Sequence, residues 1–113
     1  MIQILHNPRC TKSRQGLALL EEEGQTFEII KYLEDKLTKS DLTSIITKLG
    51  ISPIELVRKN EAIWKSDYKG KNLNDAQVIE AMIEHPKLIE RPIIINKNKA
   101  IIGRPTEAIK TIL

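Results

Sequence analysis

The sequence predicts an α/β fold with a mixed sheet, ordered as β-α-β, a helical stretch, then β-β-α. Three observations carry this prediction. Short apolar runs bounded by turn residues stand near both ends of the chain. Helical spacing of apolar residues, marked by caps, fills the middle. No internal repeat, low-complexity segment or linker interrupts the 113 residues.

The elements follow in order. "IQIL" (2–5) is apolar and runs into "HNP", a strand handing over to a turn. From Thr11 the pattern is helical, with Leu17, Leu19 and Leu20 as the apolar side, Glu21–Glu23 as a solvated end and Gly24 as the stop. "TFEIIKY" (26–32) alternates as a second strand, parallel to the first across the helix. Thr38 and Asp41 have capping-box spacing ahead of Leu42, Ile45, Ile46 and Leu49, and Gly50 ends that helix. Ser52, Pro53 and Glu55 start another, residues 65–73 read as a polar loop, and Asn74 with Gln77 caps a helix that stops before Pro86. Ile93–Ile95 and Ala100–Ile102 flank "NKNK" as a hairpin, and Pro105 opens a short terminal helix. This order fits one thioredoxin-like (glutaredoxin-like) domain over 1–113, with a helical insertion at about 38–86.

Hydrophobic residues make up 41% and charged residues 29%, the proportions of a globular chain and not a disordered one. The net charge of +3 is spread along the sequence, aromatics are only 4%, and no basic run exceeds two residues. Nucleic-acid binders concentrate their basic residues and stack bases on aromatics, so direct nucleic-acid binding is not expected. No run approaches the roughly 20 apolar residues that span a bilayer, and the N-terminus does not read as a signal peptide. A single cysteine cannot close an internal disulfide, which points to a reducing, cytoplasmic setting.

That cysteine, in "HNPRCTKSR", sits where the first strand hands over to the first helix. A thiolate there faces unpaired backbone N–H groups and the positive end of the helix dipole, and Arg9, Lys12 and Arg14 add positive charge nearby. His6 lies four residues upstream; protonated it would favour the thiolate, neutral it would hydrogen-bond it. Two readings stay open, a small packed hydrophobe or an activated nucleophile. Ser13 makes the motif C-x-x-S, so a reactive Cys10 needs a resolving thiol from elsewhere.

Of 18 basic residues only five are arginine: Arg9 and Arg14 flank the thiol, and Arg58, Arg91 and Arg104 follow. Arg91 and Arg104 each precede a proline, at the mouth of an element. The planar guanidinium suits bidentate recognition of an oxyanion, whereas lysine suffices for solubility. Three arginines meeting at one thiolate would hold a tetrahedral oxyanion; isolated surface roles are the alternative.

"HNPRCTKSR", "LVRKNE", "HPKLIERPIII" and "GRP" together, spanning residues 2 to about 107, resemble the glutaredoxin-coupled arsenate reductase family of the thioredoxin-like superfamily. The chain is similar to its short subgroup, with Thr11-Lys12 after the cysteine. The resemblance implies that Cys10 attacks arsenate to form a covalent adduct, that glutathione as co-substrate attacks the adduct, and that glutaredoxin, the protein partner, completes reduction to arsenite. It implies oxyanion binding by Arg58, Arg91 and Arg104, tuning of the thiol by His6, and a cis peptide before Pro92 that brings the Arg91 backbone beside the sulfur, with Ser13 and Arg14 in support. It implies no tightly bound cofactor. The same fold and thiol also suit reduction of glutathione mixed disulfides, or a redox-linked transcriptional regulator that binds RNA polymerase.

Other residues carry less. His85, before Pro86, reads as a helix-end cap, and Trp64 as packing. His6 and Cys10 lack third and fourth partners for zinc, so no metal site is expected. No glycine pattern for nucleotide binding occurs.

Overall fold

The computed structural model describes residues 1–113, which divide into two compact units: Met1–Asp35 with Arg91–Leu113, and Lys36–Glu90. The expected insertion at about 38–86 falls inside the second.

The first unit contains β1 (Ile2–Leu5), α1 (Thr11–Glu22), β2 (Phe27–Ile30), β3 (Ile93–Asn96), β4 (Lys99–Ile102) and a terminal 3-10 helix (Thr106–Ile112). Its sheet is mixed, in the order β2-β1-β3-β4. β1 pairs parallel with β2, placing Ile4 beside Ile29, and antiparallel with β3, placing Ile4 beside Ile94. Because strand side chains alternate between faces, Ile2, Ile4 and Ile94 share one face, and Leu20 of α1 and Ile109 close over it as a buried cluster. Each such side chain contributes about 1.5–3 kcal/mol on burial. α1 turns away at Gly24, which takes a left-handed φ of 68° that a side chain would strain.

Two boundaries differ from expectation. β2 covers 27–30 and not 26–32, because the Lys31 carbonyl accepts the N–H groups of Glu34 and Asp35 and folds the chain into a turn. The last helix is 3-10 rather than α, with Pro105 as its N-cap.

In the second unit, α2 (Lys39–Leu49) opens with the Thr38–Asp41 capping box and ends at Gly50, φ 69°. Ser52 and Glu55 cap only a 3-10 turn, Pro53–Leu56, because Val57 goes extended to bridge Ile89. The expected loop at 65–73 starts later, since α3 (Ala62–Asp67) occupies its first residues. Trp64 is buried and stacks on Tyr68 at 5.4 Å, which anchors a helix too short to show a period in sequence. α4 (Asp75–Glu84) carries the Asn74–Gln77 box and buries Val78, Ala81 and Met82. His85 caps the end of α4, its backbone N–H donating to the Ala81 carbonyl at 2.9 Å, while its ring meets Tyr68 edge-on at 6.1 Å.

Candidate active site

Cys10 is the N-cap residue of α1, with the extended φ of −97° and ψ of 123° typical of that position. The turn before it is tied by Asn7. The Asn7 carbonyl accepts the Cys10 N–H at 3.0 Å, and its Oδ1 accepts the Arg9 N–H at 3.0 Å. Asn7 side chains commonly make such local turns, so "HNP" signalled this function without assigning it.

Ser13, fully buried on the first turn of α1, joins two strands of the loop. Its Oγ accepts the Asn7 N–H at 2.9 Å and lies 2.7 Å from His6 Nδ1. With the hydroxyl oxygen accepting from Asn7, its O–H is free to donate to Nδ1, which leaves the ring proton on Nε2. Burial holds the His6 pKa below its ordinary value; the Ser13 backbone opposes this, and the Arg14 charge adds to it. His6 is therefore a neutral ring anchored on Ser13, and the side-chain partners of the sulfur are arginines.

Those arginines come from the far end of the chain. Arg104 donates an Nη2 hydrogen to Cys10 Sγ at 3.6 Å and its Nε hydrogen to the Arg91 carbonyl at 2.9 Å. The Arg91 guanidinium also hydrogen-bonds the sulfur. Burial alone pushes the thiol pKa up; the Ser13 N–H, the Arg91 guanidinium and the Lys12 N–H outweigh it and hold Cys10 below its ordinary value. Among the local cations, Arg14 serves differently: its guanidinium donates to the Pro8 carbonyl at 2.9 Å and Thr11 Oγ1 at 3.2 Å, stapling the loop.

The Arg91–Pro92 peptide is cis, as is Arg104–Pro105. Pro92 is seated tightly. A Cβ on Gly16 or on Gly103 would come within 2.9 Å of Pro92 Cγ, closer than real contacts allow. The Gly103 N–H donates to the Pro92 carbonyl at 2.8 Å. Two glycines and one proline thus fix the segment that delivers both arginines, a relationship with no local sequence signal.

Arg58 lies in the second unit. Its N–H donates to the Leu88 carbonyl at 2.7 Å, and its Nε is 3.7 Å from both Glu61 and Glu90 carboxylates. Its Nη1 is buried without a hydrogen-bond partner. No three His, Cys, Asp or Glu side chains gather to hold a metal ion, and no helix is long and apolar enough to cross a membrane.

A thiolate at a helix N-terminus, lined by guanidinium groups, can attack an electrophilic centre whose oxygens the same guanidiniums hold. Comparison with known proteins agrees in kind. The model of the ArsC family matches residues 5–112. An arsenate reductase of Haemophilus influenzae is 44% identical over 112 residues, covering 97% of each chain. One of Neisseria meningitidis is 40% identical over 114 residues, covering 99% of this chain and 97% of that protein. The solved structure of an arsenate reductase from Vibrio cholerae superposes with a TM-score of 0.95 at 41% identity, covering 99% of this chain and 97% of that one.

Proposed function

The chain belongs to the ArsC family, and from that premise we propose that it reduces arsenate to arsenite through a covalent Cys10 adduct, with glutathione as co-substrate and glutaredoxin as protein partner. The observation that carries the reading is the hydrogen bonding of one thiol at a helix N-cap by two arginines from the distant "ERP" and "GRP" segments.

The Cys10 thiolate attacks arsenic; a sulfur–arsenic bond forms, an arsenic–oxygen bond breaks, and the oxygen leaves as water after taking up protons. Glutathione thiolate makes a second sulfur–arsenic bond as another water leaves. A glutaredoxin thiolate then attacks the glutathione sulfur. The new disulfide forms, the glutathione sulfur–arsenic bond breaks, and its electron pair stays on arsenic, which passes from +5 to +3. Water cleaves the remaining bond, releasing arsenite and the Cys10 thiol.

Arg91 and Arg104 neutralise the oxyanion and the developing charge on its leaving oxygen. The family resemblance alone assigns Arg58 the same kind of role. Ser13 and Arg14 are positioning residues, and neutral His6 completes the anchor of the loop. The absence of a second cysteine favours external thiols as reductant. A cytoplasmic setting, where thiols stay reduced, suits this cycle.

The test is arsenite formation by purified protein with arsenate, glutathione and glutaredoxin. Turnover that disappears in Cys10→Ser supports the reading. No turnover by folded protein rejects it, and reduction of a glutathionylated peptide in its place would move the assignment to mixed disulfides.

A further inference from the structure

We propose that Gln15 is a positioning residue for Arg104: through the Thr106 hydroxyl it ties the segment that delivers this arginine to the helix that holds the sulfur. The proposal rests on the reduction reading, in which Arg104 binds the oxyanion. It adds a residue pair that acts on the site only through Arg104.

The tie has two points. Arg104 donates to Cys10 Sγ at 3.6 Å, and two residues on the Thr106 hydroxyl donates to Gln15 Oε1 at 3.4 Å. The partners lie 94 and 91 residues apart in the chain. Cys10 caps α1 and Gln15 lies within it, so both bonds end on one helix. An α-helix locks its backbone with its own hydrogen bonds and carries its residues at fixed spacing. A segment tied at Gln15 therefore keeps its distance from the sulfur at Cys10.

Arg104 needs such a hold because its side chain is shared between two acceptors, the sulfur and the Arg91 carbonyl at 2.9 Å. A small shift of its backbone would break one of them, and groups in a reacting site work only when held within about 0.5 Å. On the upstream side the backbone is gripped. The Gly103 N–H donates to the Pro92 carbonyl and the Arg104 N–H to the Ile102 carbonyl, each at 2.8 Å. Downstream comes Pro105, which has no N–H to donate, and then Thr106, the first residue of the terminal 3-10 helix. The Thr106 hydroxyl supplies on that side the hold that the backbone supplies on the other.

Gln15 is exposed and Thr106 half-buried, so neither side chain builds the core, and surface substitutions ordinarily leave stability almost unchanged. The separation of 3.4 Å is long for a hydroxyl donor, whose usual range is about 2.5–3.0 Å. The expected effect is accordingly at the small end for a neutral hydrogen bond, about three- to fivefold.

Thr106→Val removes the hydroxyl at constant shape, and Gln15→Met removes the acceptor from a helix that tolerates both residues alike. Each should lower kcat/KM for arsenate about three- to fivefold at an unchanged urea midpoint, while Thr106→Ser, which keeps the hydroxyl, retains it. In an Arg104→Ala background Thr106→Val should have no further effect. Lys110→Met opens the 3.6 Å pair with Glu23 at the far end of α1 and serves as the control for a loosened terminal helix, with turnover unchanged. Wild-type kcat/KM in Thr106→Val and Gln15→Met, a loss that adds to that of Arg104→Ala, or an equal loss in Lys110→Met overturns the proposal. Alkylation of Cys10 against pH separates the tie from the reaction. Thr106→Val should raise the midpoint and Thr106→Ser should not, because a displaced Arg104 withdraws a donor from the thiolate. That rise without any arsenite formation by the wild type would sustain the tie while removing the reduction reading. Arsenite formation with midpoint and kcat/KM untouched in both variants would do the reverse.

Discussion

Arg104 reaches 94 residues back along the chain to place a guanidinium nitrogen 3.6 Å from the sulfur of Cys10. The same side chain holds the Arg91 carbonyl at 2.9 Å, so one arginine both contacts the thiol and fixes the backbone of the other arginine on it. Charge and position are thereby supplied by a single residue, which a lysine with one ammonium cannot reproduce.

Arg104→Ala should lower arsenite formation about 10²-fold, the usual effect of deleting one preorganised donor at a developing charge. Arg104→Lys should recover only part of it, since the positive charge returns without the fork that binds sulfur and the Arg91 carbonyl together. Steady-state turnover of both variants checks this. Full recovery in the lysine variant would reduce the role to charge alone.

Ser13→Ala removes an oxygen that serves two buried groups, the Asn7 N–H and His6 Nδ1. Leaving them unpaired should cost about 1–3 kcal/mol, read from urea denaturation. His6 should then titrate differently by NMR, because its tautomer is no longer set by the hydroxyl.

Gly16→Ala should destabilise, although glycine to alanine within a helix ordinarily stabilises by about 0.5–1 kcal/mol. The new Cβ would stand 2.9 Å from Pro92 Cγ and 3.2 Å from Ile109 Cδ1. Overpacking of this kind costs about 1–3 kcal/mol, and Gly103→Ala should behave alike. Both variants should also slow Cys10 alkylation at neutral pH, because Pro92 carries Arg91 with it. Denaturation midpoints and alkylation rates test the pair.

Stability should rise with pH through two windows, and the sign follows from which state binds the proton. Cys10 and His6 both have folded pKa values below their unfolded ones, so the unfolded chain holds the proton more tightly. The His6 contribution is complete above its unfolded value of about 6.5 and is lost as pH falls through its lower folded value. The Cys10 contribution is complete above about 8.5 and is lost as pH falls through its folded value. Urea denaturation across pH 5–9 should show both rises, and Cys10→Ser should flatten the upper one alone.

Much of this was legible in sequence because it is local. The Thr38–Asp41 and Asn74–Gln77 boxes, Gly24 and Gly50 as helix stops, and Cys10 at the start of α1 are set by neighbours a few residues away. α3 was not legible: its six residues hold one buried anchor, Trp64, and no period. The site was legible as residue types and illegible as geometry. Arginine before proline marked Arg91 and Arg104, but only folding puts Arg104 on the sulfur. Arg9, Lys12 and Arg14 illustrate the limit. Proximity in sequence suggested that their charges poise the thiol, whereas Arg14 staples the loop and Lys12 contributes a backbone N–H. His6 likewise spends its ring on Ser13, a partner seven residues on.

The rate of Cys10 alkylation by iodoacetamide, followed against pH in the wild type and in Arg91→Ala, tests the poised thiolate most directly. The account predicts a wild-type midpoint below that of a free thiol, about 8.5, and an upward displacement in the variant. A wild-type midpoint at or above the free-thiol value, or one that Arg91→Ala leaves in place, would contradict it.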